Sequence, residues 1–281
     1  MEFRVRPARA DDIGSIVPWT TDTFDWGDYV PERMPQWIAA EDSEVLVCVD
    51  DEDLPWAVCH VAMLSATEAW LEGARVHPDQ RRSGMGSAMN RAGVDWAREQ
   101  GARVMRLATE TDNEAAVSQV EWLGYRLVSR WAHAEITVTA SDRSDERFRM
   151  RPAPRSDADA AWLFWAASDL ALHGRELFAT GWQWRRARAE DLYAAVDAGQ
   201  LLQSSAGWAI LDRPAAGWFV TNWVATTPED LLGLLDGLLD HVAGEGGNEL
   251  DFKLPDLPWT VEAMSRAGGE PKGIGIYALA V

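Results

Sequence analysis

The chain has 281 residues, 47% of them hydrophobic, and 45 acidic against 26 basic side chains give it a formal net charge of −19 at pH 7. The apolar fraction is that of a packed globule, not of a disordered chain. The acidic balance excludes a nucleic-acid binder, whose phosphate contacts need basic stripes, and favours cationic partners.

Glu2 opens a strand over residues 2–6, followed by a helix over 10–24 and a second helix over 31–40. A hairpin follows, EVLVCVD then PWAVCHVAML, turning at Asp51, Glu52 and Asp53. Residues 67–76 (TEAWLEGARV) alternate polar and apolar as a half-buried strand does, and residues 85–100 place Met85, Ala88, Met89, Ala92 and Trp96 at helical spacing. A strand RVMRLATET, a helix over 113–123 and strands through Thr139 complete the series. The fold class is α/β, with an α+β mixed sheet. Cys48 and Cys59 lie in strand-like runs and read as buried reduced thiols. Five histidines without ligand spacing predict no metal site. The first residues lack the apolar core of a secretory signal, and no apolar run approaches a membrane span, so the expected setting is cytoplasmic with no membrane partner.

Between the 67–76 strand and the 85–100 helix lies HPDQRRSGMGSAMN, residues 77–90. The first turn of a helix leaves backbone N–H groups unpaired at the positive end of the helix dipole. Gly84 and Gly86 let a ligand approach that bare backbone, and Arg81 and Arg82 add positive charge. The stretch is built to cradle a pyrophosphate.

The chain is written twice. FRVRPAR at 3–9 and FRMRPAP at 148–154 match at five positions, 145 residues apart, with the charged run 139–147 as a linker. Domains are expected over 1–140 and 148–281. In the second copy the strand GWFVTNWVA leads into TTPEDLLGLLDGLL, where Thr227 is a helix N-cap, Pro228 the first helical residue, and Glu229 and Asp230 fill the first turn. Carboxylates there repel a pyrophosphate, so the second site is expected to be dead. Sixteen tryptophans include the clusters Trp162/Trp165 and Trp182/Trp184, which raise the question of a ligand-lining role; Trp162 and Trp165, at i and i+3 of a helix, are read as packing.

The first copy resembles the GNAT family of acyl-CoA-dependent N-acetyltransferases. The family's Arg/Gln-x-x-Gly-x-Gly/Ala signature is present as Arg81-Arg82-Ser83-Gly84-Met85-Gly86, after Val76-His77-Pro78, and a second block is matched by Asn113, Ala116, Gly124 and Tyr125. The resemblance covers residues 2–140 well and 148–281 as topology, which implies two tandem GNAT-like acyl-CoA N-acyltransferase domains. It further implies acetyl-CoA as co-substrate, with its pyrophosphate on Arg82, Ser83, Gly84, Met85, Gly86 and Ser87 beside Arg81. The pantetheine would follow the strand ending at Val76, where a backbone N–H stabilises the charge developing on the thioester oxygen, and Asn113 would contact the coenzyme. The tyrosine that many relatives carry seven residues after the asparagine is Val120 here, which leaves protonation of the leaving thiolate to water, Ser118, Tyr29 or nothing.

An acceptor amine with a pKa of about 10 must lose a proton before attack, and a carboxylate serves as the usual base. Glu68 and Glu72 share one face of the 67–76 strand, with Glu72 nearer the acetyl position. In the family the segment between the first two helices borders the acceptor site. Here it holds Asp25, Asp28 and Glu32 interleaved with Trp26 and Tyr29, a set suited to a cation. The expected activity is acetyl transfer to a primary amine of a small cationic molecule by a monomer or homodimer. The rival is a non-catalytic acyl-CoA-binding sensor. A P-loop nucleotide protein is disfavoured because the loop lacks the Lys-Ser/Thr pair.

Overall fold

The computed structural model describes residues 2–21, 23, 27–139 and 145–281. In chain order the first copy runs β1 (Arg4–Pro7), α1 (Ile13–Thr20), α2 (Val30–Ala39), β2 (Ser43–Val49), β3 (Pro55–Ser65), β4 (Glu68–Val76), α3 (Met85–Glu99), β5 (Val104–Glu110), α4 (Glu114–Trp122) and β6 (Arg126–Thr137). The second runs β7 (Arg151–Pro152), α5 (Ala158–Ala166), α6 (Asp169–Gly174), β8 (Leu177–Thr180), β9 (Gln183–Arg186), α7 (Ala189–Asp197), β10 (Leu201–Ser204), β11 (Gly207–Ala215), β12 (Trp218–Ala225), α8 (Leu231–Gly244), β13 (Glu249–Pro255), α9 (Pro258–Arg266) and β14 (Lys272–Ala280).

Two compact units result, and they interleave along the chain. One comprises Met1–Leu107, Ser118–Arg126 and Ala278–Val281, the other Ala108–Val117 and Leu127–Tyr277. In the first unit the strand order is β1-β2-β3-β4-β5, antiparallel except for the parallel β4–β5 pair. Its core joins Ile16, Val30 and Met34 of the helices to Val45, Val47, Val49 and Val58 of the sheet. The 51–53 turn forms as the sequence predicts, with Asp53 in the left-handed region (φ 64°) and its carboxylate accepting from Arg4, Arg6 and Arg9.

In the second unit β6 pairs antiparallel with β13 along Glu249–Pro255, followed by β12, β11, β10 and β7. So β6, the last strand of the first sequence copy, completes the unit built from the second. Conversely, Ala278–Val281 belong to the first unit, where the Val281 N–H reaches the Arg103 carbonyl at 3.0 Å. Residues 126–137 form one long strand instead of the several expected before Thr139.

The first helix ends at Thr20, short of residue 24. The Thr20 and Thr21 hydroxyls donate to the Ile16 and Val17 carbonyls (3.0 and 2.7 Å), and Pro18 interrupts the ladder. Trp165 is buried against Trp162 and Trp223, as the packing reading requires. Both cysteines are buried and free. Among the described residues no helix is long and apolar enough to cross a membrane, and no three His, Cys, Asp or Glu side chains gather as metal ligands would.

Candidate active site

The strand at the centre of the first unit creates an opening. Parallel pairing of β4 with β5 joins Glu68, Ala69 and Trp70 to Val104, Met105 and Arg106. Past Trp70, β4 runs on to Val76 without a β5 partner, so that edge of its main chain is left open. Gly73 sits in this stretch at φ 63°, a left-handed position that suits glycine, and a Cβ there would come within 3.1 Å of the Trp37 ring.

Beyond Val76 the chain makes a single 3-10 turn over Pro78–Gln80 and enters α3 through two left-handed residues, Arg82 (φ 64°) and Gly84 (φ 90°). Ser83 folds back on Gln80, its hydroxyl donating to that carbonyl at 2.6 Å. The α3 ladder starts with the Ala88 N–H to the Gly84 carbonyl at 3.0 Å. The N–H groups of Arg82, Gly84, Met85, Gly86 and Ser87 therefore have no acceptor among the described residues. No side chain caps this terminus and no acidic residue stands in its first turn. Arg81, Arg82, Ser83 and Gly84 are exposed, and Met85 is buried as the anchor of the helix. Gly86 faces the Gln119 amide, which lies 2.9 Å from where a Cβ would sit. Nothing in the signature marks Gln119. This donor set fits a diphosphate, which needs several N–H groups and a favourable dipole and supplies the charge that the loop lacks.

Around Gly73 the structure gathers side chains that the sequence spreads over two strands, a helix and a loop. His60 Nδ1 lies 3.0 Å from Glu72 Oε1, and Trp37 stacks on the His60 ring at 4.3 Å and 7°. Tyr29 meets Trp37 edge-on at 6.0 Å, with the Arg75 guanidinium 5.5 Å from its own ring centroid. Burial pushes the Tyr29 hydroxyl up to about 12, with Glu72 adding to the rise and Arg75 opposing it.

The expected site residues fall out as follows. Glu72 is half-buried beside His60, whereas Glu68 is buried and taken up by Arg106 and by the Ser65 hydroxyl. The Asp28 carboxylate turns fully inward to Arg75 Nε (2.6 Å), and Glu32 is exposed on the first turn of α2. Asp25 and Trp26 lie outside the described residues. Val76 closes the β3–β4 ladder opposite Ala57. Asn113 accepts the Ala116 N–H at 3.1 Å as the cap of α4, and it belongs to the second unit. Val120 offers no hydroxyl. Tyr125 is fully buried, its hydroxyl between Asn90 Nδ2 and Met105 Sδ at 3.0 Å each.

The second unit repeats the strand geometry and closes it. Parallel pairing of β12 with β13 joins Trp218, Phe219 and Val220 to Glu249, Leu250 and Asp251, and then stops while both strands run on. Trp131, Trp165, Leu170, Leu177, Trp223 and Leu254 fill the gap, leaving a cavity of about 10 Å³, room for at most one water. Helix α6 packs on β13 so closely that a Cβ on Gly174 would meet Pro255 at 3.0 Å. At the turn before α8, Thr227 Oγ1 accepts the Asp230 N–H at 3.3 Å, and the regular helix begins at Leu231, later than Pro228. Nearby, Lys253 is buried against Asp251, with His133 on the other carboxylate oxygen at 3.0 Å and the Trp182 ring 5.2 Å from the ammonium.

Comparison with known proteins agrees with this geometry. Residues 15–125 match the sequence model of the Acetyltransferase (GNAT) family. The match covers most of the first copy, and the solved structures below give the chain the fold of GNAT acetyltransferases. No curated protein matches its sequence. Among solved structures it is similar to a GCN5-related N-acetyltransferase from Sphaerobacter thermophilus, with TM-score 0.70 and 16% identity over 99% of this chain and 95% of that one. A tandem GNAT protein from the clavulanic acid biosynthesis pathway gives TM-score 0.61 and 12% identity over 99% and 98% of the two chains. A GCN5-related glucosamine N-acetyltransferase region of a fungal multi-domain β-N-acetylglucosaminidase gives 0.70 and 14%, over 99% of this chain and 38% of that one. At such identities the likeness carries the fold.

Proposed function

We propose that the first copy binds acetyl-CoA and transfers its acetyl group to a primary amine of a small cationic molecule, while the second copy binds no coenzyme. The observation that carries this reading is the set of N–H groups of Arg82, Gly84, Met85, Gly86 and Ser87, without acceptors among the described residues and with no acidic residue in the first turn of the helix. Arg81 adds charge at the same loop. The open edge of β4 between Trp70 and Val76 receives the pantetheine and offers a main-chain N–H to the thioester oxygen.

In this scheme Glu72 takes the proton from the ammonium of the acceptor, and the freed nitrogen attacks the thioester carbon. A C–N bond forms as the C–S bond breaks. The thiolate leaves with the Tyr29 proton, which the raised affinity of that hydroxyl keeps in place until a base appears. Tyr29 thereby fills the role that Val120 cannot. Glu32, with Asp25 and Trp26 on the same segment, gives the acceptor its preference for positive charge. Asp28 serves by fixing Arg75. Glu68, already paired with Arg106, holds the base of the strand.

The net charge of −19 favours small polycations over anionic acceptors. The glucosamine acceptor named for one structural relative makes amino sugars a natural first member of the panel. Release of free thiol from acetyl-CoA is measured against polyamines, amino sugars, amino acids and peptide N-termini. Turnover with a cationic small amine is expected. Tight coenzyme A binding without thiol release against any amine would instead describe an acyl-CoA sensor.

A further inference from the structure

His60 faces Glu72 directly across the β3–β4 ladder. Its side chain is 3% exposed, its plane is fixed by the 4.3 Å stack on Trp37, and its Nδ1 lies 3.0 Å from Glu72 Oε1. The other ring nitrogen, Nε2, is buried with no hydrogen-bond partner among the described residues. These constraints select one tautomer. An ionised carboxylate only accepts, so the ring proton must sit on Nδ1 for the contact to be a hydrogen bond. A second proton on Nε2 would bury a charged N–H without an acceptor. The sequence shows none of this, because His60 and Glu72 are brought together only by the register of two strands and Trp37 arrives from a helix.

We propose that His60 is a positioning residue for the catalytic carboxylate: its Nδ1–H fixes the orientation in which the Glu72 carboxylate meets the acceptor ammonium. The proposal rests on the reading of Glu72 as base. A glutamate has three rotatable bonds, and its carboxylate can swing towards Arg75 or Tyr29, the other polar groups of this cluster, which also includes Asp28. The histidine makes no contact with substrate. Its effect is on how often Glu72 is aimed when the amine arrives, and so on kcat.

The test is a double-mutant cycle on acetyl transfer to the preferred amine, using Glu72→Gln, His60→Phe and the pair, with His60→Asn as the conservative variant. Phenylalanine keeps the stack on Trp37 and deletes the donor; asparagine keeps a donor at nearly the Nδ1 position. His60→Phe is expected to lower kcat about ten-fold, with both KM values within about two-fold, and His60→Asn to stay within about three-fold of the parent. In the Glu72→Gln background, His60→Phe should cost nothing further. Ring ¹⁵N shifts of the parent should place the His60 proton on Nδ1. If Glu72→Gln loses activity while His60→Phe does not, or if the His60→Phe loss persists in the Glu72→Gln background, His60 has no positioning role and the base assignment stands. If Glu72→Gln keeps full activity, the base assignment itself is wrong and the role of His60 goes with it. Equal losses in His60→Phe and His60→Asn, with lowered unfolding midpoints in both, would make the residue structural only.

Discussion

Two turns in this molecule face the same physical problem and solve it in opposite ways. Each carries the chain from a central strand into a helix, β4 into α3 and β12 into α8, and each follows a parallel strand pair that stops after three residues. At the first, glycine and left-handed backbone leave five N–H groups without acceptors among the described residues. At the second, Thr227 takes the Asp230 N–H, Leu231 bonds to the Thr227 carbonyl, and Asp230 stands at the N-cap, although Glu229 and Asp230 precede the first turn and do not fill it. The gap beyond each strand pair follows suit: a glycine with polar neighbours in one, tryptophan and leucine in the other. A helix end left uncapped can take an anion, and in the proposed reading the turn at Thr227 serves packing instead.

The contrast can be broken at either end. The largest effect expected is on stability: Trp223→Ala, which empties the closed gap of the second unit, should cost about 3–5 kcal/mol in urea unfolding and leave coenzyme A affinity unchanged. Next comes Gly84→Glu, which puts a carboxylate on the open turn. It should weaken coenzyme A about 100-fold by calorimetry, about 2.7 kcal/mol. Gly84→Ala, whose Cβ meets nothing within 4 Å, should cost only the strain of its positive φ, about 1–2 kcal/mol. Tyr29→Phe should lower kcat about ten-fold with the acetyl-CoA KM unchanged, since the hydroxyl acts on the leaving thiolate.

Alkaline pH should single out the first unit. Burial raises Tyr29, Tyr125 and Cys59, all within it, to about 12 each. The unfolded chain loses these protons first, so stability is flat below about pH 8 and falls as pH rises towards 12. A loss of about 2–3 kcal/mol by pH 10 is expected from unfolding titrations. Thr227→Ala, which removes the self-made cap of the second turn, should cost about 1 kcal/mol.

What the sequence disclosed and what it hid divide along the same line. The open turn was legible because its determinants are contiguous: two glycines, two arginines and a helix without an acidic first turn, all within residues 81–87. The self-capped turn was legible for the same reason, through Thr227 and Asp230. The cluster at Gly73 was not. His60, Glu72, Trp37, Tyr29 and Arg75 come from four segments, and only strand register and the left-handed glycine bring them together. For that reason Asp28, read as a cation-binding carboxylate, is found facing Arg75, and Glu68 and Glu72, alike in sequence, have different surroundings. The placement of β6 beside β13 was equally hidden, since a strand pattern specifies which face is apolar and not which neighbour it joins.

The central claim is that one of the two turns, and only one, takes the coenzyme. Calorimetric titration of coenzyme A into the intact chain counts the sites directly. The account predicts one molecule per chain, lost in Gly84→Glu and retained in Trp223→Ala. Two molecules per chain, or a single one that survives Gly84→Glu unchanged, would contradict it.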